Sequence, residues 1–260
     1  MRVIITGASR GIGEQIARLL AKKHYTSFKM ILVARSEDKL KKIASELNAE
    51  YFICDLSREE ELERLIRTYP TTDMLINNAA LADYGYYHNL TWENTKKVIT
   101  VNAIVPAKLC HHYLKDMVER NYGYILNVAS ADSLGPIPFK TAYVSTKAFL
   151  INFTRSLMLE LKDTNIKISC LMPGPTDTDL WNFPVKSRIK INKMKPRKVA
   201  EYAVKLLEKG GTGIPGFGNK IRKMAKLYLP EKLHGYLIRH LMLLAGADSL
   251  KILVDQNCSE

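Results

Sequence analysis

Short apolar runs alternate along the chain with stretches whose apolar positions recur every three to four residues. Residues 2–6 form a β-branched run, and Ile16, Ala17, Leu19 and Leu20 follow at helical spacing. The same strand-then-helix pattern repeats. Apolar runs at 30–33, 51–53, 74–76, 124–128 and 166–171 predict five more strands. Leu40, Ile43, Ala44 and Leu47 make one helical stripe, with Ser36 expected at its N-cap. Ser57 is expected to cap an acidic first turn (Glu59, Glu60, Glu61) ahead of Leu62, Leu65 and Ile66. Residues 98–118 read as mostly helical, with Pro106 a kink or boundary, and 142–161 as a long helix. Strand, helix, strand repeated in this way predicts a doubly wound parallel sheet with helices on both faces, whose ligands lie at the carboxyl ends of the strands. After Met172 come a Pro/Gly/Asp loop, a basic stretch, a helix near 196–209, a GGTGIPGFG segment, and amphipathic helices at 220–229 and 232–244. The division expected is 1–217 as the domain built on this sheet and 218–260 as a helical C-terminal extension packed on it.

The chemistry collects just past the predicted strands. Thr6-Gly7-Ala8-Ser9-Arg10-Gly11-Ile12-Gly13 joins the first strand to the first helix. Glycines there let the backbone turn tightly and approach a pyrophosphate seated on helix N–H groups. The alternative is a glycine-rich turn that holds nothing. After the second strand, no acid precedes Glu37 to grip a ribose 2′-hydroxyl. Arg35, with Arg10 of the glycine loop, instead places guanidinium charge where a 2′-phosphate would lie, which favours NADP(H) over NAD(H). The alternative is that either arginine is an ordinary surface residue. Asp55, beside Leu56, is placed either to accept from an adenine amine or to hold a turn.

Tyr143 and Lys147 are four apart, on one face of the long predicted helix. A phenol with a pKa near 10 is a poor acid or base at neutral pH, and a neighbouring ammonium is expected to favour the phenolate. Ser130, at the end of the fifth strand, offers a hydroxyl to a carbonyl oxygen.

These motifs together resemble the short-chain dehydrogenase/reductase family, in its compact form sometimes called "old-fashioned", over residues 1–180. TGASRGIG matches its glycine motif. Asn77-Asn78-Ala79-Ala80 matches N-N-A-G with Ala in place of the last Gly. Ser130, Tyr143, Lys147 and Asn102 match its catalytic set, and Pro173-Gly174-Pro175-Thr176-Asp177-Thr178 its P-G-x-x-x-T segment. The resemblance implies a single-domain Rossmann-like fold and an NADP(H)-dependent carbonyl reductase or alcohol dehydrogenase. It makes Tyr143 the general acid for reduction, with Lys147 lowering its pKa and bonding the nicotinamide ribose. Ser130 orients the carbonyl, and Asn102 holds a water in a relay to Lys147. The cofactor-binding positions expected are Gly7, Ser9, Arg10, Gly11, Ile12, Gly13, Arg35, Asp55, Leu56, Asn78, Ala79, Tyr143, Lys147, Pro173, Gly174 and Thr176. An NADPH-binding regulatory or scaffold protein without turnover is the alternative. A sugar-nucleotide epimerase is disfavoured, because it would show G-x-x-G-x-x-G and a longer substrate domain.

No metal site is expected. His111 and His112 diverge on a helix, one read as buried and one as exposed, and Asp177 and Asp179 lack the further oxygens a calcium loop needs. Trp181 and Phe183 either line an apolar substrate pocket or pack in the core.

Composition changes the picture in one respect. The 260 residues, 47% hydrophobic and 25% charged, are those of an ordinary globular chain. Four scattered cysteines read as reduced thiols, and neither a signal peptide nor a membrane span is expected, so a cytoplasmic protein is. The net charge of +13 is lopsided, however: 186–240 carries 15 Lys and Arg against 3 Asp and Glu. That block reads as a solvated surface or as a face for an acidic carrier or a membrane surface, where the protein would be peripheral. Nucleic acid is not expected. Gly213-Ile214-Pro215-Gly216 stands where the family has a V-D-G-G-like signature, and a homo-oligomer, dimer or tetramer, is expected.

Overall fold

Alternate side chains of one strand face opposite ways, and the first strand shows what this does. In the computed structural model, which describes residues 1–22, 28–181, 192–216, 218–219 and 231–244, Val3 and Ile5 pack into one apolar cluster and Ile4 into another. A strand buried on both faces needs helices above and below. Among the described residues seven strands form one sheet in the order β3-β2-β1-β4-β5-β6-β7, every pairing parallel. They are β1 (Arg2–Thr6), β2 (Lys29–Ala34), β3 (Glu50–Ile53), β4 (Met74–Asn77), β5 (Gly123–Val128), β6 (Ile166–Leu171) and β7 (Gly211–Gly213).

The helices α1 (Gly11–Lys22), α2 (Glu37–Leu47) and α7 (Pro196–Lys209) bury Ile16, Leu40 and Val199 in the cluster with Val3. The helices α3 (Glu59–Thr68), α5 (Val105–Glu119) and α6 (Thr141–Glu160) cover the other face, with Leu65 and Leu109 in the cluster with Ile4 and Phe153 packed against it. The expected doubly wound sheet is thus present.

Several details differ from the sequence reading. The helix expected at 98–118 starts earlier, as α4 (Trp92–Ile99), capped by Thr91 Oγ1 accepting from the Asn94 N–H at 3.4 Å. A π-helical turn, Thr100–Ile104, then joins α4 to α5, and Pro106 lies just inside α5. Ser36 occupies its N-cap position but makes no side-chain cap bond, and the N-cap of α3 is Arg58, not Ser57. β7 was not expected at all, because Gly-Thr-Gly has no apolar pattern to read. The helix expected at 220–229 lies outside the described residues. The one expected at 232–244 is α8 (Glu231–Leu244).

A polar ladder crosses the buried centre of the sheet. Asn77 Nδ2 donates to Asn127 Oδ1 at 2.8 Å, and Asn127 Nδ2 donates to Thr154 Oγ1 at 2.9 Å, tying β4 to β5 and β5 to α6. Truncating its middle member leaves Asn77 Nδ2 only its long bond to Cys110 Sγ at 3.5 Å and removes the donor to Thr154 Oγ1. Asn127→Ala is therefore expected to lower the unfolding free energy by about 1–3 kcal/mol, read as an earlier urea midpoint with an unchanged slope.

Candidate active site

The site is built where β1 and β4 end side by side, the point at which strand order reverses. Thr6 Oγ1 accepts from the backbone N–H of Asn78 at 3.0 Å and of Ala79 at 3.1 Å. Asn78 Nδ2 donates back to Thr6 O at 3.0 Å and Gly7 O at 3.1 Å. Gly7 and Gly11 adopt φ of +67° and +63°, where side chains are strained. A methyl group on Gly13 would collide with Asn78 Nδ2 and Gly7 O, and one on Gly174 with the Asn219 amide. The glycine turn and the first turn of α1 are thereby pressed against the end of β4, leaving the N-terminus of α1 at the mouth of a cleft of about 540 Å³.

The sequence-predicted positions converge there. Gly7, Ser9, Arg10, Ile12, Arg35, Asp55, Leu56, Asn78, Ala79, Ser130, Tyr143, Lys147, Pro173, Gly174 and Thr176 all line the cleft. Gly11, Gly13 and Asn102 do not; the two glycines shape its wall from behind.

Tyr143, Lys147 and Ser130 are buried at its floor. Ser130 ends the strand segment after β5, and its Oγ accepts from the Asp132 N–H at 3.2 Å, which leaves its own O–H to donate. That hydroxyl hydrogen-bonds the Tyr143 phenol. The expected electrostatics need correction. Lys147 Nζ donates to the Val128 carbonyl at 2.8 Å, across to β5. Burial raises the Tyr143 pKa above its ordinary value, Asp132 adds to the rise, and the Ser130 bond opposes it. Burial pulls Lys147 down to about 8. Desolvation thus outweighs any help from the neighbouring ammonium, and the phenol is held neutral.

Asn102 sits in the π-helical turn, where Oδ1 accepts from the Leu81 N–H at 2.9 Å and Nδ2 donates to Leu81 O at 2.8 Å and Thr146 Oγ1 at 3.2 Å. Its side chain is committed to holding a loop. The carbonyl of Asn102 would pair in an α-helix with the nitrogen of residue 106, but Pro106 carries no hydrogen.

The charged positions resolve in part. Arg10 Nη1 pairs with Asp179 Oδ2 at 2.8 Å, both exposed, so this guanidinium already has a carboxylate partner. Asp55 Oδ1 accepts from the backbone N–H of Ser57 at 3.0 Å and its hydroxyl at 2.8 Å, the turn reading, while the residue also lines the cleft. Although burial opposes it, the Ser57 bonds and the Arg35 charge lower the pKa of Asp55. Neither histidine of the pair is buried: His111 is exposed, and a ring nitrogen of half-buried His112 lies 2.9 Å from Pro70 O. Among the described residues no group of three His, Cys, Asp or Glu side chains is placed to hold a metal ion. The Trp181 side chain and Phe183 lie outside the described residues.

Helix α8 meets the cluster that holds Tyr143. Ile238 and Met242 of α8 pack against a cluster holding Val98, Ile137, Tyr143 and Val144, with Leu81 and Leu180 beside them. Their spacing of four on an amphipathic helix is the signal of this contact in the sequence.

Two outcomes follow from this geometry. Gly13→Ala should abolish nucleotide binding by displacing Asn78, read by cofactor fluorescence titration. For Lys147 the unfolded chain keeps its proton to the ordinary 10.5, whereas the folded chain loses it near 8. Between those values the unfolded state binds more protons, so native stability rises with pH. Relative to Lys147→Met, wild type should therefore gain at most about 3 kcal/mol across that window, read by urea unfolding at stepped pH.

Comparison with known proteins agrees with this arrangement. The family model for short chain dehydrogenase matches residues 1–188. The 3-oxoacyl-(acyl-carrier-protein) reductase FabG of Rickettsia prowazekii (strain Madrid E) is 32% identical over 214 residues, covering 82% of this chain and 83% of that protein. A 7beta-hydroxysteroid dehydrogenase structure superposes with a TM-score of 0.81 over 92% of this chain and 96% of its own, at 24% identity. A short-chain dehydrogenase from Sphingobium yanoikuyae in complex with NADPH gives 0.74 over 88% of this chain and 96% of its own, at 25% identity. The chain belongs to the short chain dehydrogenase family and is an oxidoreductase of its type, acting on carbonyl and alcohol groups.

Proposed function

We propose that the protein is an NADP(H)-dependent carbonyl reductase, or in reverse an alcohol dehydrogenase, of a lipophilic ketone or aldehyde. The observation that carries this reading is that Ser130, Tyr143 and Lys147 face the same cleft as the glycine loop and Arg35. The cleft fits a dinucleotide: its volume lies in the range of ligand sites, and Gly7 and Gly174, which line it, sit where the neighbouring backbone and Asn219 leave no room for a Cβ. Gly7, Ser9, Gly11, Ile12 and Gly13 would hold the pyrophosphate at the α1 N-terminus. Asn78, Ala79, Pro173, Gly174 and Thr176 would line the nicotinamide half, and Asp55 and Leu56 the adenine half. Arg35 would meet a 2′-phosphate, while Arg10 would have to exchange Asp179 for it. The NADPH complex of the Sphingobium yanoikuyae relative supports the same preference.

When bound, the reduced nicotinamide supplies the hydride. Tyr143, kept neutral by burial, gives its phenolic proton to the carbonyl oxygen. The Ser130 hydroxyl donates to the same oxygen and holds it beside the phenol. Lys147 steadies the ribose and favours the phenolate left after transfer.

Leu81 and Leu180 line the cleft, and Ile238 and Met242 pack against the apolar cluster that holds Tyr143, which supports a lipophilic substrate; the Rickettsia prowazekii relative is named for an acyl substrate. In this reading residues 1–217 are the dinucleotide-binding catalytic unit of a cytoplasmic homo-oligomer, and 218–260 are an extension packed on it, of which the described helix α8 meets the cluster that holds Tyr143. No described helix is long and apolar enough to cross a membrane. Leu233, Leu237, Leu241 and Leu244 nevertheless form an exposed stripe on α8, away from Ile238 and Met242 and beside exposed Lys232 and Arg239. That stripe supports peripheral contact with an acidic lipid surface.

Purified protein should oxidise NADPH with a panel of apolar ketones, and Tyr143→Phe should lose at least about a thousandfold in turnover while still binding NADPH. NADPH binding with no turnover on any carbonyl would favour the regulatory alternative. Arg35→Ala should raise the KM for NADPH about tenfold or more and leave that for NADH unchanged. Leu237→Asp with Leu241→Asp should abolish sedimentation with anionic vesicles; binding that survives the change would remove the membrane contact.

A further inference from the structure

The helix that carries Tyr143 and Lys147 has no cap of its own. Its N-cap residue, Lys140, makes no side-chain cap bond, and the Lys140 ammonium lies 3.2 Å from Asp132 Oδ2. The N–H groups of a helix's first turn have no partner within the helix. That of Tyr143, the third residue of α6, donates to Asp83 Oδ1 at 3.2 Å, sixty positions away in the chain. Asp83 is 7% exposed, and its Oδ2 is buried with no hydrogen-bond partner among the described residues. A carboxyl group left half-satisfied in the interior is costly, so its other oxygen must be held for a purpose or tolerated for one.

The surrounding loop grips the same helix end. The Gly85 N–H donates to Phe139 O at 3.0 Å, and the Tyr86 ring meets the Phe139 ring edge-on at 5.0 Å. Lys140 Nζ lies 5.3 Å from the centre of the Tyr84 ring. Phe139 itself has φ +67°, a conformation a bulky residue adopts only where its surroundings impose it. The stretch after β4 therefore decides where α6 begins.

We infer that Asp83 is a positioning residue for the reaction: by accepting from the backbone N–H of Tyr143, it fixes the first turn of α6 and so the phenol relative to Ser130. This rests on the assignment of Tyr143 as proton donor. Asp83 does not line the cleft, so its loss should alter chemistry without altering the grip on the nucleotide. An amide oxygen accepts as a carboxyl oxygen does, so asparagine should serve and a side chain without an acceptor should not.

The test measures kcat with NADPH and a turned-over ketone, together with NADPH affinity by fluorescence, in wild type, D83N, D83A and D83L. Leucine keeps roughly the shape of the side chain while removing the acceptor. The expected result is a kcat at least tenfold lower in D83A and D83L, NADPH affinity within twofold of wild type, and D83N near wild type. A kcat within twofold of wild type in an acceptor-free variant would overturn the inference. So would equal losses in D83N and D83A, or loss of NADPH binding in both acceptor-free variants, which would show a role in folding instead. Absence of turnover in wild type itself would count against the proposed function and not against Asp83 in particular.

Discussion

Everything at this site depends on how closely the turn after β1 approaches the end of β4. Thr6 Oγ1 accepts two backbone N–H groups from the neighbouring strand end, and the Asn78 amide returns two bonds to the turn. The contact leaves no room for a Cβ at Gly13. With only two strands meeting there and the strand order reversing, the opening above them is bounded by α1 on one side and by the ends of β4 and β5 on the other. A cavity at that place is a consequence of topology.

The electrostatics of the floor show two effects competing. Helical spacing brings the phenol and the ammonium onto one face, which by itself would favour charge separation between them. Both groups are buried, however, and the low-dielectric surroundings penalise each charge. The Lys147 amine answers by bonding to the Val128 carbonyl, and the phenol by bonding to Ser130. The result is a neutral acid beside a weakened cation, and a neutral acid is the form that can give up a proton to a reduced carbonyl.

Much of this was legible in the sequence, for physical reasons that also mark where legibility stops. Strands buried on both faces leave continuous apolar runs, so β1, β2, β4, β5 and β6 could be read. β7 could not, because Gly211–Gly213 pairs with β6 through its backbone alone. Residues such as Gly7, Ser130 and Tyr143 belong to fixed spacings and were found. The state of Tyr143 was not, because spacing reports neighbours and burial decides charge. Asp83 was missed for the same kind of reason. An aspartate in an unpatterned loop looks like surface, and only the fold shows that it lies beneath the start of a helix sixty residues on.

The loop from Leu81 to Tyr86 links these observations. At its start Asn102 holds Leu81 by both backbone groups, from a π-helical turn that interrupts the passage from α4 to α5. That turn places an extra residue in the helix, and such bulges recur at functional sites. At its far end Asp83 and Gly85 hold Tyr143 and Phe139. One short segment is thus fastened on one side to the element that bears Asn102 and on the other to the element that bears Tyr143 and Lys147. Two members of the matched set that lie forty-one positions apart in the chain are held in register by it. Leu81 also lines the cleft. The side chain that faces the cleft at Leu81 and the backbone N–H of Tyr143 are thus held by the same short segment.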